Sequence, residues 1–311
     1  MRLVVALGGN ALLKRGEPMT AAAQRANVGR AAISLAALIA AGHRIVITHG
    51  NGPQVGLIAL QAAAGPRDGA YPLDVLGAES EGMIGYLIEQ ELGNRLGSGA
   101  QLATLLTQTR VDPADPAFHA PSKPIGPVYD DAAMQCLKAE RGWTFKLDNG
   151  MWRRVVASPA PLEILEIKVI ALLLERDVTV ICTGGGGIPV VARDDGSLVG
   201  IEAVIDKDLA SALLARQIGA DMLLLLTDVD AVSLDFGTPQ ARRIARAGAA
   251  SLSAGAFAAG SMRPKIEAAT HFAALTGHPA AIGRLEDAVA MLEGKVGTLI
   301  MPGALDVQYR D

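Results

Sequence analysis

Three turns rich in glycine and amide groups could do chemistry: Gly8-Gly9-Asn10, Gly50-Asn51-Gly52 and the run Gly184–Gly187. Each follows an apolar run with strand character, at Leu3–Leu7, Arg44–Thr48 and Val178–Thr183. Glycine lets backbone N–H groups approach an anion closely, and the start of a following helix adds a favourable dipole. One such turn is ordinary turn chemistry. Three at equivalent strand ends point to a polyphosphate site, because ligands gather at the carboxyl ends of parallel strands. Three lysines supply matching charge. Lys207, in Asp206-Lys207-Asp208, lies where the strand-like segment Ile201–Ile205 meets a helix expected over Asp208–Ile218. A lysine between two acids is ordinarily a solvated surface triplet, but apolar neighbours on both sides put this one at an element boundary. Lys265 opens a helix expected over Lys265–Leu275, after Ser261 and Pro264. A cation there opposes the helix dipole and is better explained if it faces a bound anion. Lys123 is held stiffly between Pro121 and Pro124. Lysines and glycine turns together suit phosphoryl transfer, where catalysis is positioning plus charge stabilisation.

Other chemistries lack their residues. No G-x-G-x-x-G occurs, and Gly294-Lys295 is followed by Val296, so neither a dinucleotide fingerprint nor a P-loop is present. His43, His119, His271 and His278 have no metal-ligand spacing, and no metal ligand is assigned. His49, just before a glycine turn, reads as structural. C-x-x-C, H-E-x-x-H and G-x-S-x-G are absent, which leaves a nucleophile-and-base hydrolase without support.

The elements that must position these groups alternate along the chain. Helices are expected over Ala21–Ala41, Glu79–Leu96 and Leu162–Arg176, with Thr20 capping the first. Strands are expected at Leu102–Thr107, Met222–Leu226, Ala280–Gly283 and Thr298–Met301, a hairpin turn at Arg193–Gly196, and a short helix from Leu285. This is the pattern of a doubly wound α/β sheet. The 311 residues, 50% of them hydrophobic and 19% charged, suffice for a large core and exclude disorder. A net charge of −4 argues against nucleic-acid or membrane-surface binding. Cys136 and Cys182 read as reduced thiols of a cytoplasmic chain. One stretch breaks the rhythm: residues 113–161 hold seven of the sixteen prolines and both tryptophans, so they cannot be core helices. Phe118, Tyr129, Trp143, Phe145 and Trp152 suggest instead a protruding lid subdomain with its own core, inserted within a single domain spanning 1–311.

With these residues laid out, the chain resembles the carbamate kinase branch of the amino acid kinase family. The matching segments include ALGGNALL (6–13), THGNGPQVG (48–56), GMIGYL (82–87), VDPADPAF (111–118), KPIGPVY (123–129), WRRVVASP (152–159), GGGGIPVV (184–191), EAVIDKDLAS (202–211), LLTDVDAV (225–232) and GSMRPKIEAA (260–269). Other branches usually carry K-x-G-G at the first turn, where this chain has Ala6.

The resemblance implies a three-layer α/β/α sandwich with an open, mainly parallel eight-stranded sheet, a protruding subdomain and a homodimer. It implies reversible phosphoryl transfer between ATP and carbamate, giving ADP and carbamoyl phosphate with Mg²⁺, and ATP formation in arginine catabolism. Gly8, Gly9 and Asn10 would form the first phosphate loop. Gly50, Asn51 and Gly52, with Gly185 and Gly186, would face the acceptor. Lys207 and Lys265 would hold nucleotide phosphates, Asp208 would orient both lysines, and Lys123 would replace the cation missing at position 6. Thr227, Asp228, Val229, Phe236 and Met262 would lie near adenine and ribose, although Ala231 and Phe236 stand where relatives often carry tyrosine. Glu79 and Glu81, unusual for the family, would lie on a helix away from the chemistry. The alternatives are a related acid kinase, such as one acting on acetylglutamate, and a non-catalytic nucleotide-binding protein. Ala6, the 113–161 insertion and the three lysines speak against them.

Overall fold

Strand β1 (Arg2–Leu7) sends alternate side chains to opposite faces of its sheet, and beyond Arg2 both sets are apolar. The computed structural model describes residues 1–9, 12–13, 16–65, 71–148, 150–257 and 262–310. Asn10 and Ser261 lie outside the described residues. Val4 and Ala6 enter one buried cluster, while Leu3, Val5 and Leu7 enter another. A strand buried on both faces belongs inside a covered parallel sheet.

The chain continues through α1 (Ala21–Ala40), β2 (Arg44–His49), α2 (Gly52–Ala64), α3 (Leu73–Leu96), β3 (Leu102–Thr104) and β4 (Gln108–Val111). Next come β5 (Lys123–Tyr129), α4 (Asp131–Arg141), β6 (Thr144–Asp148), β7 (Met151–Val156) and β8 (Pro161–Ile164). Then follow α5 (Ile167–Glu175), β9 (Thr179–Ile181), β10 (Ile188–Ala192), β11 (Leu198–Gly200), α6 (Lys207–Gln217) and β12 (Met222–Thr227). The chain ends with β13 (Ser233–Leu234), β14 (Arg242–Gly248), α7 (Met262–Thr276), β15 (Ala280–Arg284), α8 (Ala288–Leu292), β16 (Thr298–Met301) and β17 (Gln308–Tyr309).

The main sheet runs β13-β14-β16-β15-β12-β1-β2-β9-β3, with β17 added beside β14. That makes ten strands rather than eight, because the two-residue strands β13 and β17 pair antiparallel at one end. Helices α1, α3 and α8 cover the Leu3 face, and α5, α6 and α7 cover the Val4 face. A second sheet, β11-β10-β4-β8, flanks the first, and β5-β7-β6 form a small antiparallel sheet. Tyr129 and Phe145 meet edge-to-face on that small sheet with ring centroids 5.5 Å apart.

The central strands β12, β1, β2 and β9 are adjacent and mutually parallel. Leu7 is in register with His49 on one side and Leu226 on the other, and Ile47 with Ile181. The turns beginning at Gly8, Gly50, Thr183 and Asp228 therefore emerge along one edge. This register brings distant sequence segments to a common site.

Several expected elements differ. Residues 162–176 are not one helix: Pro161–Ile164 pairs antiparallel with β4, and the helix starts at Ile167. No alternation marks this segment, since Leu162 is exposed and Ile164 buried two residues apart; its antiparallel pairing with β4 makes it a strand. Helix α3 begins at Leu73 instead of Glu79, directly after Pro72. The strand at 102–107 stops at Thr104, and Ile201–Ile205 forms only a bridge at Ala203 to Ala157. Helix α7 starts at Met262, with Pro264 inside its first turn, where a missing N–H costs nothing. Helix α1 matches its expectation, and the Thr20 hydroxyl accepts from the Ala23 N–H at 3.2 Å. Thr20→Ala should lower stability by about 1 kcal/mol, the usual value of such a cap. A lower urea midpoint at unchanged slope is the expected readout.

Candidate active site

The four strand ends enclose a cleft of about 350 Å³. Gly8, Gly9, Gly50, Asn51, Gly52, Gly185, Thr227 and Asp228 line it from the sheet edge. Lys207, Asp208 and Lys265 contribute from α6 and α7, and Lys123 and Arg153 from the small antiparallel sheet. Two of the turns leave no room for side chains. A Cβ on Gly8 would lie 2.8 Å from the Leu226 carbonyl oxygen, and one on Gly185 would lie 2.2 Å from the Asn51 carboxamide. Asn51 precedes α2 without a side-chain cap, so the first N–H groups of that helix are open to an anion at the cleft.

Asp208 organises the charge. Its two carboxylate oxygens accept from the Lys207 ammonium at 2.5 Å and the Lys265 ammonium at 2.8 Å. All three groups are buried or nearly so. Burial works against the Asp208 charge, yet the two ammonium groups overcome it and hold the carboxyl well below the usual carboxylate range. Burial lowers Lys207 to about 8 despite the attraction of Asp208. On Lys265 burial acts in the same direction, but Asp208 outweighs it and the pKa is raised. The shared carboxylate thus keeps two cations in a place that would otherwise expel them.

Asp206 makes a second junction. One oxygen caps α6, accepting from the Asp208 and Leu209 N–H groups at 2.9 and 3.3 Å. The other accepts from the Lys123 ammonium at 2.6 Å. The lysine of the small sheet is thereby tied to the helix terminus that carries Lys207.

Glu81 is not away from the chemistry. Its carboxyl is buried under the glycine run and accepts from the Gly184 N–H at 2.6 Å and the Thr107 N–H at 3.2 Å. Burial pushes it up to about 8, although both N–H donors oppose the shift. Its neighbour Ser80 accepts from the Asn51 amide at 2.8 Å. Two adjacent residues of α3 therefore support two cleft turns. His49 is fully buried, and burial lowers it to about 4. Its Nδ1 lies 3.1 Å from the Gly50 carbonyl, and its Nε2 has no partner among the described residues. It stays neutral and packs beneath the turn.

Other expected site residues fall outside the cleft lining. Gly186 is buried behind it, where a Cβ would lie 2.7 Å from the Ile205 carbonyl oxygen. Met262 packs against the core of the α6–α7 side, and Phe236 is 76% exposed beyond β13. Val229 is half-buried and does not line the cleft. Sequence reasoning missed Arg153 altogether. Its only signal was a basic residue two positions from the end of a strand pairing with the Lys123 segment. Among the described residues no cluster of three or more His, Cys, Asp or Glu side chains could hold a metal ion. No described helix is long and apolar enough to cross a membrane.

The model of the amino acid kinase family matches residues 1–284. The carbamate kinase of Rhizobium meliloti is 54% identical over 311 residues, covering 99% of this chain and 96% of that protein. The carbamate kinase of Pyrococcus furiosus is 46% identical, covering 97% of this chain and 99% of that one. Among solved structures, carbamate kinase from Giardia lamblia bound to AMP-PNP superposes with a TM-score of 0.89 at 43% identity, over 97% of this chain and 98% of its own. UMP kinase from Bacillus anthracis, at 14% identity and a TM-score of 0.57, shares the fold.

The buried Glu81 carboxyl makes stability depend on pH. Below the ordinary carboxyl value both folded and unfolded chains hold the proton, and there is no penalty. Between that value and about 8 the folded chain binds the extra proton, so stability declines as pH rises, and above 8 the decline is complete. Glu81→Gln removes the ionisation. Its melting temperature relative to the parent should rise progressively from pH 5 to pH 8.5, and a parallel pair of curves would refute this reading.

Proposed function

The chain belongs to the amino acid kinase family, and we propose that within it the chain transfers a phosphoryl group reversibly between ATP and carbamate, giving ADP and carbamoyl phosphate. The observation that carries this reading is the pair Lys207 and Lys265 on one carboxylate, with Lys123 brought to the same cleft of glycine turns. The names and near-complete coverage of the relatives support it.

In this reading Lys207 and Lys265 neutralise the nucleotide phosphates and the oxygens of the group in flight. The Gly8 N–H donates to the Leu226 carbonyl at 3.0 Å and seats the first turn, Gly9 offers its N–H to the phosphates, and the role expected of Asn10 belongs to the same proposal. Carbamate is already an anion, so its oxygen attacks phosphorus without a general base. That fits a cleft whose nearest histidine is buried and neutral. The chain's task is to hold two anions in line while their charges are met, which is where most of the barrier reduction in such transfers arises. The acceptor lies against Gly50–Gly52 and Gly185, with Lys123 above it. Thr227 and Asp228 border the nucleotide side, and the base and ribose extend from them toward Val229, Phe236 and Met262, beyond the cleft lining. Mg²⁺ would draw its ligands from phosphate oxygens and water, since Asp206 and Asp208 are already engaged by lysines. The ion would offset phosphate charge there.

Residues 113–161 would act as a lid over the acceptor. The working direction would be ATP formation, at the end of arginine breakdown in the cytoplasm. A homodimer is supported by edge strand β3 and the exposed Met83, Tyr86 and Leu106 close by.

ATP formation from carbamoyl phosphate and ADP tests the reaction, run beside ATP consumption with acetylglutamate, glutamate and aspartate. Activity with one of those acids alone would overturn the proposal in favour of the related kinase. Lys265→Ala should lower turnover by on the order of 10²–10³, the usual loss for one transition-state donor. Lys123→Ala should lower it by roughly 10² or more while ADP affinity changes little. In the pH profile of kcat/KM, activity should fall as pH rises through about 8, because Lys207 of the free enzyme loses its charge there. A profile flat to pH 9.5 would separate Lys207 from the limiting charge.

A further inference from the structure

The small antiparallel sheet meets α2 backbone to backbone. A Cβ built on Gly56 would lie 1.9 Å from the Gly126 Cα and 2.1 Å from its nitrogen, which no real side chain tolerates. Gly126 is at φ +71°, the left-handed region that favours glycine, at a register shift in the pairing of β5 with β7. A Cβ there would lie 3.2 Å from the Gly56 Cα. Glycine inside a helix costs about 0.5–1 kcal/mol relative to alanine, so Gly56 is helix-unfavourable and makes sense through this contact. Around it Ile125 of β5 packs with Val55 and Ala59 of α2.

Both ends of this contact lead into the cleft. Helix α2 begins at Gly52 and Pro53, which line the cleft, and Gly56 follows one turn later. Lys123 is three residues before Gly126 on the same strand. Arg153 donates to the Gly126 carbonyl at 3.0 Å and also lines the cleft. Its Nε is buried without a partner among the described residues. The helix that presents the acceptor turn and the strand that presents Lys123 are therefore fixed to one another where neither has a side chain.

We propose that Gly56 and Gly126 are positioning residues for phosphoryl transfer: their contact sets how far Lys123 reaches toward the acceptor, although neither touches a ligand. This rests on the reaction proposed above. Side-chain reach matters because misplacing a catalytic group by about 1 Å can cost on the order of 10² in rate.

The test is a double-mutant cycle of Gly56→Ala with Lys123→Ala, with Gly77→Ala as control. Gly77 lies inside α3, where a Cβ meets nothing within 4 Å. Gly56→Ala should lower kcat by on the order of 10-fold or more with ADP affinity held within about twofold. In the Lys123→Ala background the same substitution should change kcat by less than about twofold, because the group it positions is gone. Gly77→Ala should retain the parent kcat. Multiplicative losses in the cycle, or an unchanged kcat in Gly56→Ala, would overturn the proposal. If Gly56→Ala does not fold, Gly126→Ala enters the same cycle with the same expectations. Both tryptophans, Trp143 and Trp152, lie on or beside the small sheet, and amide exchange over 123–129 reads its seating without any turnover. Faster exchange there in the glycine variants supports the seat even if the parent proves inactive with carbamoyl phosphate, an outcome that would overturn the reaction and not the contact. Exchange equal to the parent would overturn the contact itself.

Discussion

Everything at the cleft depends on one carboxylate holding two buried ammonium groups. Placing either lysine alone in this environment would cost several kcal/mol or discharge it. Asp208 accepts from both, one on each oxygen, and lies in the first turn of α6, where the helix dipole favours its negative charge. The same dipole disfavours Lys207 beside it, so the carboxylate offsets two unfavourable effects at once. Together the three groups carry one net positive charge aimed into a cleft bordered by backbone N–H groups. An anion entering there meets cations whose positions are already set.

The sheet makes this arrangement possible at low cost in chain length. Four parallel strands in register deliver their turns to one edge, while α6 and α7 pack side by side on the face below. The Thr48 and Ser211 hydroxyls, 2.6 Å apart, join the end of β2 to α6, and Ser211 also donates to the Lys207 carbonyl at 2.6 Å. On the opposite face α3 supports the acceptor turns through Ser80 and Glu81. Polar residues buried beneath the cleft on each side are thus structural supports for glycines that have no side chains to anchor themselves.

What the sequence disclosed follows from the range of the interactions involved. Glycine turns after apolar runs, and lysines at helix starts, are local patterns, and the cleft collects Gly8, Gly9, Gly50–Gly52, Gly185, Lys123, Lys207, Asp208 and Lys265 from them. Glu81 and Arg153 were illegible because their partners are tertiary: Gly184 is 103 positions from Glu81, and Gly126 is 27 from Arg153. The helix expected over 162–176 failed for a related reason. Leu162-Glu163-Ile164 is too short a segment to show its period, and pairing with β4 decides its state. Phe236 and Met262 came from resemblance alone, and no local pattern tied either to the cleft.

Burial separates fixed cations from a movable one. Lys265 and Asp208 are 6% and 5% exposed at their side chains, and Lys207 is 12% exposed, so breaking that cluster would strand charge in the interior. Lys123 is 30% exposed and pairs with an Asp206 that remains occupied by two N–H donors when the lysine leaves. Asp206 is 13% exposed, so only the lysine end of this pair reaches solvent, and a phosphoryl group with more charge competes for it. Ala6, fully buried in the core of β1, leaves the first turn without a cation of its own. In the proposed reaction the charge missing there is supplied by Lys123, a lysine on a separate sheet that rests on the N-cap residue of α6.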